Sequence, residues 1–153
     1  MKPDSADALP RSAQWLGYAG LLPQLGVVLT LAAGDPETRF SAMALGYAYA
    51  ALILSFVGGL WWGLASRDPA RAPDWIWVAA VMPSLVALAS ALPWALGDPW
   101  PGPSLVLLGL SLASTVIIDV LLDRRGLCPF GWLALRARLS VGLGALTLLC
   151  ALL

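Results

Sequence analysis

Long apolar runs, separated by short charged and proline-rich breaks, set the organisation of this chain. Twenty-three uncharged residues lie between Arg11 and Asp35, 27 between Arg39 and Arg67, and 23 between Asp74 and Asp98. A further 20 separate Asp98 from Asp119, and 15 follow Arg138. A helix needs about 20 predominantly apolar residues to cross the hydrocarbon of a bilayer. The pattern therefore predicts five transmembrane helices, at 15–33, 41–65, 75–96, 104–123 and 132–152. The runs are continuously apolar and lack the alternation of a barrel strand, so strands are not expected. A polar leader, residues 1–14, precedes a single five-helix domain, residues 15–153.

The breaks carry turn chemistry. Gly34-Asp35-Pro36 closes the first run, Arg67-Asp68-Pro69 the second, and the Gly97–Pro103 segment the third. In each, an aspartate can bond the backbone that follows and a proline fixes the bend. Connections this short make successive helices antiparallel neighbours. The expected architecture is an all-α, polytopic five-helix bundle with short loops.

Charge orients it. With five alternating spans, Lys2, Arg11, Arg67, Arg71, Arg124, Arg125, Arg136 and Arg138 share one side, and only Arg39 falls on the other. The positive-inside rule places the N-terminus in the cytoplasm and the C-terminus in the periplasm of a bacterial inner membrane. Eight arginines against one lysine, in a chain rich in alanine, leucine and glycine, fit a bacterial genome of high GC content.

Composition then narrows the chemistry. The chain is 153 residues long, 59% apolar and 12% charged, with zero net charge and no histidine. Half the usual share of charge cannot keep a globular surface in water. Without histidine there is no Ser–His triad, haem ligation through imidazole or ordinary catalytic zinc site. Zero net charge gives nucleic acid no basic footprint. No nucleophile–base pair, metal-ligand spacing or phosphate-cradling loop stands out, so no catalytic residue, metal or cofactor is expected and the chain reads as a non-enzyme. Cys128 and Cys150 fall at opposite ends of the bundle and cannot bridge.

Several motifs have a structural and a functional reading. Most of the eight tryptophans map to helix ends, as interfacial anchors do. Trp61 and Trp62 are adjacent and point about 100° apart on a helix, so one of them is expected to pack inward. Ser55, Gly59 and Gly63 recur every four residues and form a face of small residues suited to close helix packing. The competing reading of that face is a gap that admits a ligand or lipid chain. Pro23, Pro83 and Pro93 interrupt the first and third spans and predict kinks. A cavity near the first two of these would be lined by Pro23, Trp61, Trp62, Pro83 and Ser84.

Helices four and five cross only by carrying charge inward. Ser104–Ile118 and the segment after Arg138 each supply 15 uncharged residues, about 22 Å of helix against a core of roughly 30 Å. Ser111, Thr115 and Asp119 form one stripe, and Arg136, Ser140, Gly144 and Thr147 another. Laid antiparallel, they bring Asp119 to Arg136, Thr115 to Ser140 and Ser111 towards Gly144. The expected result is a buried polar seam closed by an Asp119–Arg136 or Asp119–Arg138 pair. An ionisable residue inside a membrane is otherwise a functional candidate. Arg124, Arg125, Arg136 and Arg138 together also suit an anionic lipid of the inner leaflet, although topology alone explains all four.

The run Tyr49-Ala50-Ala51-Leu52-Ile53-Leu54-Ser55-Phe56-Val57-Gly58-Gly59, followed by Trp62-Gly63, resembles the signature of the family that includes transmembrane protein 69, domain of unknown function 3429. Leu16–Pro23, Met82-Pro83-Ser84, Pro129–Trp132 and Leu135–Leu139 fit the same pattern in order. The resemblance implies a five-span membrane protein and carries no catalytic residue. Two non-enzymatic functions stay open. One is an interaction or assembly factor for a membrane complex. The other is a binder or carrier of a hydrophobic small molecule, such as a lipid, quinone or porphyrin, within the bundle.

Overall fold

A computed structural model describes residues 9–153; residues 1–8 of the leader, Lys2 among them, lie outside the described residues. Seven helices build five spans. They are α1 (Arg11–Ala19), α2 (Leu22–Ala32), α3 (Pro36–Arg67), α4 (Trp75–Ala89), α5 (Leu92–Leu96), α6 (Gly102–Arg124) and α7 (Trp132–Leu152). Five helical stretches are long and apolar enough to cross a membrane: Arg11–Ala32, Pro36–Arg67, Trp75–Leu96, Gly102–Arg124 and Trp132–Leu152. No β-strand occurs among the described residues. The protein is a multi-pass membrane helix bundle.

Local chemistry explains the element boundaries. Asp35 caps α3: its Oδ1 accepts from the Glu37 N–H at 3.1 Å and its Oδ2 from the Thr38 hydroxyl at 2.9 Å. Pro36 occupies the first helical turn, where its missing N–H costs nothing. Gly97 ends α5 at φ +79° and Gly131 precedes α7 at φ +82°, both in the left-handed region that a side chain disfavours. The prolines act as the sequence predicts in two places. Pro23 starts α2 after a break at Gly20–Leu21, and Pro93 starts α5 after a break at Ser90–Ala91. Pro83 is different, because α4 runs through it.

The break at Ser90 is repaired from α6. Ser104 donates to the Ser90 carbonyl at 2.7 Å, and Ser90 Oγ in turn donates to the Ala87 carbonyl at 2.6 Å and meets the Tyr47 hydroxyl at 3.0 Å. All backbone groups freed in lipid need such partners. At the break in the first span, the Tyr49 hydroxyl donates to the Gly20 carbonyl.

The 32-residue α3 is the central post, packing against α2, α4, α6 and α7. Glycines set the closest approaches. A Cβ at Gly58 would clash with the Ala80 carbonyl oxygen on α4. On the α6–α7 contact, a Cβ at Gly144 would lie 2.7 Å from the Gly109 carbonyl oxygen. In lipid, close backbone approach replaces the hydrophobic effect as the packing force. These glycines correct two expectations. Ser55 is half-buried, while Gly59 and Gly63 face outward, and a Cβ at either would meet nothing within 4 Å. The packed face of α3 runs instead through Gly58, one residue away. Ser111 does not reach Gly144; Gly109 does, because two residues along a helix turn the side chain about 200°.

Candidate functional site

The bundle's buried charges converge on one cluster. Asp119 on α6 is fully buried and Arg136 on α7 is 7% exposed. Arg136 Nε donates to Asp119 Oδ2 at 3.1 Å, and this is an ion pair. Trp61 on α3 donates from Nε1 to Asp119 Oδ1 at 2.8 Å. Below the pair, Thr115 Oγ1 donates to Ser140 Oγ at 2.9 Å, and Arg136 Nη2 contacts Thr115 Oγ1 at 3.4 Å. Asp119 thus has a partner on each oxygen, from two different helices. Isolated charge in the bilayer is costly, and this arrangement leaves neither ion without a partner.

The expected seam is present in its central part and differs at its edges. Asp119 meets Arg136 and Thr115 meets Ser140, as the stripes predict. Arg138 is exposed and donates from Nη1 to the Tyr18 hydroxyl on α1 at 3.1 Å, so it is not the partner of Asp119. Ser111 lines a separate cleft with Trp61 and Pro83. Trp61 joins the cluster, which the tryptophan pattern alone does not reveal. Its neighbour Trp62 is 48% exposed and packs edge-on against Trp77, ring centroids 5.0 Å apart.

A second polar knot joins Thr147, the last residue of the α7 stripe, to the first span. Gln24 on α2 is fully buried, and its Nε2 donates to Thr147 Oγ1 at 3.2 Å and lies 3.7 Å from Cys150 Sγ, both on α7. Its signals in the sequence are Thr147 in the α7 stripe and an amide side chain in the middle of an otherwise apolar first span.

Three cavities accompany these clusters. One of about 280 Å³, between α3, α4 and α6, is lined by Trp61, Pro83, Ser111 and Thr115 among others. One of about 180 Å³, between α1, α3 and α7, is lined by Gly17, Phe56, Arg136 and Leu139 among others. Both fall below the roughly 300–1,000 Å³ of small-molecule sites. Of the five residues expected to line an inner cavity, only Trp61 and Pro83 share one. Pro23, Trp62 and Ser84 are exposed; Trp62 points about 100° away from the inward-facing Trp61 on the same helix.

The largest of these three, about 1040 Å³, is a mouth at the end of the bundle where α3, α6 and α7 meet the loops. Arg67, Asp68, Arg71 and Asp123 supply its charge, and Leu64, Leu133 and Ala137 part of its apolar wall. Arg71 Nε pairs with Asp68 Oδ2 at 3.3 Å across an exposed turn. Cys128 lines the same mouth, and burial, helped by the negative charges of Asp123 and Asp119, pushes its thiol up to about 12. At neutral pH it is a thiol, not the reactive thiolate. Of the four arginines expected to hold an anionic lipid, Arg136 is committed to Asp119, while Arg124, Arg125 and Arg138 are exposed.

The family signature in α3 holds the packed Gly58, and Trp61, which meets Asp119, lies in the same helix outside that motif. The family model described as "Protein of unknown function (DUF3429)" matches residues 9–152. The chain belongs to the DUF3429 family. The DUF3429 chain is also 37% identical over 89 residues to transmembrane protein 69 of Xenopus tropicalis, which covers 54% of this chain and 33% of that relative. It therefore spans about a third of the length of that curated relative. No solved structure matches it.

Proposed function

We propose that this protein is a non-enzymatic interaction or assembly factor that binds a transmembrane helix of another membrane protein through the outer face of α3. One observation carries the reading. Gly59 and Gly63 are exposed in a helix whose own bundle contacts use Gly58, and open space lies beyond both. An outward pair of glycines four residues apart allows a second helix to approach backbone to backbone. Leu52 and Phe56, 68% and 60% exposed, extend the face by two turns. The internal clefts are small and the buried ions are paired, which favours this reading over a carrier of quinone or porphyrin. The proposal includes placement in a bacterial cytoplasmic membrane with the N-terminus inside. The gathering of Arg11, Arg67, Arg71, Arg124 and Arg125 at one end of the bundle, with Arg39 at the other, supports it.

A photoreactive residue at position 59 tests the reading in the native membrane. The expected result is a protein adduct from position 59 and none from position 88 on α4, whose leucine is 67% exposed. Lipid adducts alone from both positions would overturn it.

A further inference from the structure

The 1040 Å³ mouth holds two charged residues that pair with nothing among the described residues. Arg67, at the end of α3, and Asp123, near the end of α6, are both exposed and both line it. Neither belongs to an ion pair among the described residues, although they bear opposite charge across one cavity. Arg71 lines it too, with Asp68 on one edge of its guanidinium. The lining thus totals two cations and two anions, arranged so that one of each sign is unpaired. Such a cavity is complementary neither to an anion nor to a cation but to a molecule carrying both.

The walls add a second requirement. Leu64 of α3 and Leu133, Ala134 and Ala137 of α7 line the part of the mouth nearest the spans. Deeper along the same two helices, Val57, Leu139 and Leu143 line the 180 Å³ cleft. The mouth therefore sets a charged rim against an apolar wall drawn from α3 and α7. This end also carries Trp75 and Trp132, which start α4 and α7, in the manner of residues at the headgroup level.

We propose that the mouth binds the headgroup of a zwitterionic phospholipid bearing a primary ammonium, with its phosphate on Arg67 and Arg71, its ammonium on Asp123, and an acyl chain against the α3–α7 wall. Arginine suits the phosphate because its planar fork presents several donors at once. The primary ammonium donates to a carboxylate, which a quaternary ammonium cannot do. Arg136 takes no part, since Asp119 already holds it.

Native mass spectrometry of the full chain tests this after exchange into micelles doped with one phospholipid at a time: phosphatidylethanolamine, phosphatidylcholine or phosphatidylglycerol. The expected result is retention of phosphatidylethanolamine over the other two by about threefold or more, the scale of a partly exposed ion pair. Asp123→Asn abolishes that preference and brings phosphatidylglycerol up to parity or above. Arg67→Gln with Arg71→Gln weakens all three. Soluble glycerophosphoethanolamine, which has the same charges and no chains, is expected not to displace the lipid. Equal retention of the three lipids by the wild type, a preference for phosphatidylglycerol, or an unchanged preference in Asp123→Asn would overturn the proposal. Displacement by the soluble headgroup would overturn the lipid as its occupant. All these substitutions are at exposed positions, and each variant's circular dichroism confirms its fold.

Discussion

Replacing Arg136 with leucine is expected to destabilise the bundle by about 3–5 kcal/mol, the cost of stranding one member of a buried ion pair. Asp119 is fully buried, and without Arg136 only the Trp61 indole faces it. Asp119→Leu strands the arginine in the same way. The double variant Asp119→Leu/Arg136→Leu is expected to recover most of the loss, because replacing both ions by apolar groups removes their desolvation cost along with their attraction. Trp61→Phe isolates the remaining contact and is expected to cost about 1.5–3 kcal/mol, the value of a hydrogen bond to a charged acceptor. Reversible unfolding in mixed micelles, followed by far-ultraviolet circular dichroism, measures all four. A double variant as unstable as the worse single one would show that the charges do more than satisfy each other.

The second large effect lies at Gly58. Alanine there places a methyl against the Ala80 carbonyl, which is backbone and cannot swing aside. Separating α3 from α4 to make room also pulls apart Val57, Trp61 and Ile76, which pack together in one core cluster. Gly58→Ala is expected to cost at least about 3 kcal/mol, the upper part of the range for overpacked cores. Gly59→Ala, one residue along, is expected to stay within about 0.5 kcal/mol of wild type, as an exposed substitution does. The same micelle unfolding compares the two, and equal losses would contradict the assignment of the packed and open faces.

How much of this is legible in the sequence follows from what each signal encodes. Span number and order come directly from apolar run length, because the bilayer imposes one thickness on every helix. The Asp119–Arg136 pair is legible for a related reason: two spans too short without their charges must carry them inward, and antiparallel stripes then meet in one register. Arg138 is an equal candidate until α1 packs beside it and offers the Tyr18 hydroxyl. The glycine face is a harder case. Gly58 and Gly59 are adjacent, and only the neighbouring helix decides which one is buried. Four-residue spacing marks the open face, which is the same pattern a packed face would show. Trp61 is hidden among seven other tryptophans with an anchoring pattern, and its role depends on Asp119 arriving from α6. The mouth is not legible at all, since its charges come from the ends of two helices and the loops between them.

Two faces of α3 are thereby distinguished. Gly58 and Trp61 hold the bundle together, while Gly59 and Gly63 face outward, where the proposed partner would dock. The size of the native assembly in mildly solubilised membranes is the decisive test of that division. The wild type is expected to run as a complex larger than the 16.1 kDa chain alone. The folded variant Gly59→Leu/Gly63→Leu is expected to run only as the single chain with its micelle, and an assembly of unchanged size would contradict the division.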